Sequence, residues 1–170
     1  MASSAAYIFN DILDRHADVN HRKKCTRPIA AGTLDIRTAS ILCVLLIVFS
    51  LYLAYLLNTA FFLLIFGYFL LNGAYSLFLK KIPVLDVCIL VSFFLSRLFA
   101  GSVVTGIILS TWLIFVASLV ALFLGFCKRR QDLLLCFTEE QGEPYVRKYS
   151  PGFLNGVIFA IAPVIMGSYP

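Results

Sequence analysis

From position 38 to position 79 the chain carries no Asp, Glu, Lys or Arg. An ordinary water-facing surface is hard to build from such a run, and at about 20 residues per pass it is long enough to cross a bilayer twice. A second run, 87–127, contains one ionisable residue, Arg97, and a third, 152–170, contains none. Hydrophobic residues make up 61% of the 170 positions, and the mean hydropathy of +0.91 lies far above that of a soluble domain. The predicted fold class is an all-α polytopic membrane protein, with one transmembrane domain over 1–170.

Helices are predicted at about 38–57, 59–79, 84–104 and 111–128, preceded by a partial apolar segment at 5–12 and followed by a span from about position 153. Pro83 fits the first turn of the helix beginning near 84. A polar loop, 129–151, has room for a short helix over 133–140. Asn72, Gly73 and Gly101 are small or polar residues in or at the ends of spans, suited to close helix packing. Both ends of the chain look abrupt, as if this were an internal piece of a longer protein, and no signal peptide is recognisable at the start.

The net charge of +5 is distributed by topology. Basic residues cluster at 15–37, at Lys80 and Lys81, at 128–130, and at Arg147 and Lys148, whereas the turns near Asn58-Thr59 and 101–111 have none. Counting basic residues at helix ends places the charged segments on the cytoplasmic side. The charge therefore reads as membrane orientation, with no nucleic-acid partner. Five cysteines without a C-x-x-C pair suggest small buried hydrophobes in place of a disulfide or metal framework. His16 and His21 have no cysteine partners, so a zinc site is not expected there.

The segment 7–32 concentrates three aspartates and five Lys or Arg residues. Asp11, Asp14 and Asp18 are spaced i, i+3, i+7, on one face of a helix, with Asn10 one turn before Asp14. Carboxylate oxygens in register suit Mg²⁺, which commonly also holds substrate phosphates. The alternative is a solvated helix end neutralised by Arg15, Arg22 and Lys24. Downstream, Lys24 and Arg27 lead into R-P-I-A-A-G, where Pro28 and Gly32 suit a turn. Cations beside such carboxylates fit a phosphate-bearing ligand as well as they fit membrane anchoring.

Further polar and charged positions are expected at the same membrane face. They are Tyr75, Lys80 and Asp86 in Y-S-L-F-L-K-K-I-P-V-L-D, then Arg97, and then Lys128, Arg129 and Asp132 in C-K-R-R-Q-D. An arginine within a span faces a polar cavity by default. Pairing of Arg97 with Asp86, three helical turns earlier, is the structural alternative.

Together, N-D-x-x-D-x-x-x-D and K-x-x-R-P-I-A-A-G between membrane helices resemble the first aspartate-rich motif of the UbiA superfamily of membrane prenyltransferases. Within it the chain most resembles the decaprenyl-phosphate phosphoribosyltransferase branch. The supporting pieces are Tyr75-Ser76 with Leu79-Lys80, Asp86 in V-L-D-V, Phe94 with Arg97 and Ala100-Gly101, and Lys128-Arg129 with Asp132 where that branch has Glu. Val19, Arg22 and Cys25 depart from the pattern, which bears on fine substrate preference.

The resemblance implies a UbiA-like transmembrane helix bundle around a central cavity, of which this chain holds about five to six spans. It implies Mg²⁺-dependent transfer of a 5-phosphoribosyl group from phosphoribosyl diphosphate to a polyprenyl phosphate. Asn10, Asp11, Asp14 and Asp18 would then be the metal-holding residues, with Lys24, Arg27, Tyr75, Lys80, Arg97, Lys128, Arg129 and Asp132 binding substrate. Isoprenyl transfer from an isoprenyl diphosphate to an aromatic acceptor is the rival activity, and its enzymes typically carry a second acidic motif, D-x-x-x-D, where this chain has Lys128, Arg129 and Arg130. A catalytically incomplete, lipid-phosphate-binding fragment is the non-enzymatic alternative.

Overall fold

The computed structural model describes residues 1–19, 24–139 and 149–168, without the side chains of Lys81 and 135–139. Among the described residues there are six α-helices: α1 (Ala2–Val19), α2 (Ile36–Leu57), α3 (Thr59–Leu77), α4 (Leu85–Thr105), α5 (Thr111–Glu139) and α6 (Pro151–Gly167). Short 3-10 turns occupy Lys24–Thr26 and Leu79–Lys81. Four helices are long and apolar enough to cross a membrane: α2, α3, α4 and the Thr111–Leu134 part of α5. Their surfaces remain largely uncovered within the chain, with Ile41, Leu45, Leu63 and Leu70 all exposed. Apolar side chains left uncovered on such helices are what lipid solvates.

The chain divides into two compact units, Met1–Ser76 and Leu77–Pro170. In the first, α1 packs on α2 through small residues. Ala5, Ala39 and Ala54 are completely buried, and the Cys43 thiol donates to the Ala5 carbonyl at 3.5 Å. Small side chains let two helix backbones approach closely. The α2–α3 turn is set by Asn58, whose side-chain oxygen accepts from the Ala60 N–H at 2.8 Å, satisfying an open donor at the start of α3.

In the second unit α5 packs on both α4 and α6. Its core joins Val87, Phe126, Leu133, Tyr149 and Leu154. The close approach occurs at Gly125, where an added Cβ would lie 2.7 Å from Val87 Cγ1. Gly73 and Gly101, the glycines singled out by sequence, have nothing within 4 Å of that position. Their place inside apolar spans did not reveal which helix faces meet.

α1 runs through the aspartates to Val19, in keeping with their helical spacing. Two other boundaries differ from expectation. α5 continues past Lys128 to Glu139 as one helix; no Gly or Pro interrupts 126–139, and Arg, Gln and Leu are strong helix formers. The position-140 end of the expected short helix lies outside the described residues, as do Arg22, His21, Arg147 and Lys148. Pro83 precedes α4, which starts at Leu85 after Val84 at φ 68°. A β-branched residue in the left-handed region costs about 1–3 kcal/mol.

Candidate active site

Continuation of α1 through Val19 carries Asn10, Asp11, Asp14 and Asp18 on one helix. The chain then reverses through a compact turn. Ala31 N–H donates to the Arg27 carbonyl at 2.7 Å, Leu34 N–H to the Pro28 carbonyl at 3.1 Å, and the Thr33 hydroxyl to the same carbonyl at 3.0 Å. Gly32 supplies φ 75°, a value only glycine adopts at no steric cost.

This turn brings Arg27 onto the acidic face of α1. Its Nη1 donates to Asp11 Oδ1 at 2.7 Å and to Asp18 Oδ2 at 2.9 Å. Lys24 Nζ lies 3.9 Å from Asp18 Oδ1. Neutralisation thus comes from the turn, through Arg27 and Lys24. Asp18 is almost fully buried, and its Oδ1 accepts no hydrogen bond among the described residues. Asp14 is half-buried on the same helix. Burial pushes the Asp11 carboxyl above its ordinary range; Arg27 opposes the rise, and Asp18 and Asp14 reinforce it.

Asn10 is also held. The Ser76 hydroxyl at the end of α3 donates to its Oδ1 at 3.2 Å. Ser76 is 4% exposed, so this contact fixes the amide from a buried position. The Y-S-x-x-L-K segment had directed attention to Tyr75, which is half-buried; its neighbour makes the contact.

The donor set fits a hard divalent cation: carboxylate and amide oxygens, a buried carboxylate oxygen with no hydrogen bond, and a carboxyl crowded by two others. Among the described residues no three His, Cys, Asp or Glu side chains are already gathered closely enough to cage an ion. Arg27 lies between two of them.

The second unit has its own charged cluster. Arg129 Nε donates to Asp86 Oδ2 at 2.5 Å, and its Nη1 to Asp132 Oδ2 at 3.1 Å. The Tyr149 hydroxyl donates to Asp86 Oδ1 and accepts the Val84 N–H at 2.6 Å. Burial, then the hydrogen bond to Asp86, pushes the Tyr149 phenol well above its ordinary range. This accounts for how Val84 holds its strained backbone: its N–H has a buried partner, and its carbonyl accepts from Cys88 N–H at 3.0 Å.

Asp86 therefore pairs with Arg129 and not with Arg97. Eleven residues along a helix is about 16 Å, beyond the reach of a direct ion pair. Arg97 is exposed on α4, Lys128 and Arg130 are exposed on α5, and Lys80 is half-buried in its 3-10 turn. Tyr149 was not anticipated; an isolated tyrosine after a polar loop gives no sequence signal of its bond to a residue 63 positions earlier.

Comparison with known proteins agrees with this architecture. The UbiA prenyltransferase family matches residues 1–133. The decaprenyl-phosphate phosphoribosyltransferase of Corynebacterium glutamicum is 36% identical over 173 residues, covering 98% of this chain and 51% of that protein. The Mycobacterium tuberculosis protein of that name is 37% identical over 135 residues, covering 79% of this chain and 45% of its own length. A UbiA homolog from Archaeoglobus fulgidus, solved bound to DMAPP and Mg²⁺, superposes with TM-score 0.80 at 19% identity, over 98% of this chain and 60% of that one. The chain spans about half the length of the curated relatives it matches. With its apolar helices, it is an integral membrane protein and belongs to the UbiA prenyltransferase family.

Proposed function

We propose that this chain carries the diphosphate-binding part of a transferase that moves a 5-phosphoribosyl group from phosphoribosyl diphosphate to a polyprenyl phosphate. The observation that carries this reading is an acidic site at 10–18 combined with a basic element at 128–130. The carboxylates beside that basic element, Asp86 and Asp132, are both held by Arg129. Relatives named decaprenyl-phosphate phosphoribosyltransferase, at 36% and 37% identity, support the same assignment.

Asn10, Asp11, Asp14 and Asp18 would hold Mg²⁺, with Ser76 orienting Asn10. Bound there, the ion neutralises charge on the diphosphate leaving group. Lys24 and Arg27 stand next to the carboxylates and balance the remaining phosphate charge. The bond from ribose C1 to the diphosphate breaks with its electron pair leaving on diphosphate. An oxygen of the lipid phosphate forms the new bond to C1, so no protein nucleophile is needed. On the sequence resemblance, Lys80, Arg97 and Lys128 are assigned as cations for substrate phosphates, and Tyr75 as a substrate-binding residue. Arg129 and Asp132 contribute by shaping the basic element. The basic residues near the helix ends support the cytoplasmic face as the side of this chemistry.

Transfer of an isoprenyl group to an aromatic acceptor is the second reading, favoured by the likeness to a homolog bound to DMAPP and Mg²⁺. Lipid mass spectrometry tests the first. Membranes containing the chain, expressed from its complete reading frame, receive Mg²⁺, polyprenyl phosphate and phosphoribosyl diphosphate. The expected product is a polyprenyl phosphoribose, reduced at least about 100-fold by Asp14→Ala. Retention of most turnover in that variant would refute the metal role.

A further inference from the structure

Arg27 makes two charge-assisted hydrogen bonds through one nitrogen, to Asp11 and Asp18. Those are two of the four residues that the proposed function assigns to Mg²⁺. A guanidinium and a divalent cation cannot both take the same carboxylate lone pairs at close range. We infer that Arg27 is an exchangeable counter-ion: it holds the place of the metal between Asp11 and Asp18, and is released to the incoming diphosphate when the metal enters.

Three features support exchange over a permanent lock. The Arg27 side chain is 36% exposed and Asp11 is 25% exposed, so the pair is open to solvent on one side. Arg27 belongs to the turn between α1 and α2, outside both helices, and its side chain can swing without moving either. Asp18 Oδ1 is buried without a hydrogen bond among the described residues, with Lys24 Nζ 3.9 Å away. The arginine therefore satisfies Asp18 through one oxygen and leaves the other for a stronger ligand.

The charge balance gives the exchange a direction. Metal alone must displace Arg27 into water, which opposes binding. Metal arriving with diphosphate gives the displaced guanidinium an anionic partner in bidentate reach. Metal and diphosphate consequently favour each other through Arg27, beyond their direct attraction, and by linkage this coupling is reciprocal. The device keeps the acidic site neutralised between turnovers and selects metal that brings phosphate with it.

The inference rests on the reading that the α1 carboxylates take a divalent cation, and the test separates the two. Mn²⁺ binding to the detergent-solubilised protein is followed by the EPR signal of the free ion, without substrate and then with inorganic diphosphate. Arg27→Gln is expected to bind Mn²⁺ alone about tenfold more tightly than the unsubstituted protein, and to gain less from diphosphate. Equal or weaker metal binding in Arg27→Gln, with binding still lost in Asp14→Ala, would overturn the exchange and leave the metal site standing. Mn²⁺ binding that Asp14→Ala does not affect would overturn both.

A second measurement needs no substitution at Arg27. Labelling by phenylglyoxal, mapped by mass spectrometry, is expected to rise at Arg27 when Mg²⁺ is added alone and to fall when diphosphate follows. Labelling unchanged by a saturating metal concentration would contradict the release of the guanidinium.

Discussion

Arg27 and Arg129 each bridge two aspartates, one in each compact unit, and the two arrangements differ chiefly in access to water. The Arg129 side chain is 7% exposed and its main partner, Asp86, is completely buried. Arg27 is 36% exposed, between a part-exposed Asp11 and a buried Asp18. Arg129 is further enclosed by Tyr149, which occupies the other oxygen of Asp86. The corresponding second oxygen of Asp18 has no hydrogen bond among the described residues. Similar chemistry thus yields a locked strut in one unit and an adjustable cation in the other. Burial of the partners, and completeness of their hydrogen bonding, separates a scaffold charge from one available to a ligand.

The largest effect that would break this comparison is on stability. Arg129→Gln leaves Asp86 charged and buried, and is expected to cost about 3–5 kcal/mol in unfolding titrations of the solubilised protein. Arg27→Gln is expected to cost less, about 1–2 kcal/mol, because Lys24 remains beside Asp18 and water reaches Asp11. Equal losses would mean that the two arginines do the same structural work.

An intermediate effect is expected at the helix contact that carries the Arg129 strut. Gly125→Ala drives a methyl group into Val87, one residue from Asp86, and should destabilise by about 1–3 kcal/mol in the same titration. Gly73→Ala, where nothing lies within 4 Å, should be stable or slightly stabilised.

A loss of similar size tests the role of Tyr149. Tyr149→Phe removes a donor to Asp86 and an acceptor for Val84, for an expected loss of about 1–3 kcal/mol at neutral pH. The folded-state phenol lies above its ordinary value of 10.0 because of burial and Asp86. Its contribution is therefore fully present below pH 10, and it is lost as pH rises above that, where only the unfolded chain releases the proton. Stability of the unsubstituted protein should fall above pH 10 more steeply than that of Tyr149→Phe; parallel profiles would remove Tyr149 from the network.

Much of the architecture was legible because lipid imposes a simple code. The charge-free run 38–79 appears as α2 and α3, and the run 87–127, charged at Arg97, supplies most of α4 and the apolar part of α5. Asp11, Asp14 and Asp18 were legible as one face because helical spacing is local. Partners distant in sequence were not. Nothing in R-P-I-A-A-G states that Arg27 returns to α1, and the separation of 43 residues conceals the pairing of Asp86 and Arg129. Helical periodicity places Asp86 and Arg97 on one face, but the rise along the axis separates them too far for the ion pair that was the alternative to a cavity-facing Arg97. The same limit concealed Gly125, since its value lies in a neighbouring helix.

The central claim is the identity of the transferred group, and a competition assay tests it most directly. Membranes containing the protein receive phosphoribosyl diphosphate and an isoprenyl diphosphate together, with polyprenyl phosphate, an aromatic acid and Mg²⁺ all present. The account predicts a polyprenyl phosphoribose as the principal new lipid, absent with Asp14→Ala. A prenylated aromatic as the principal product would contradict it.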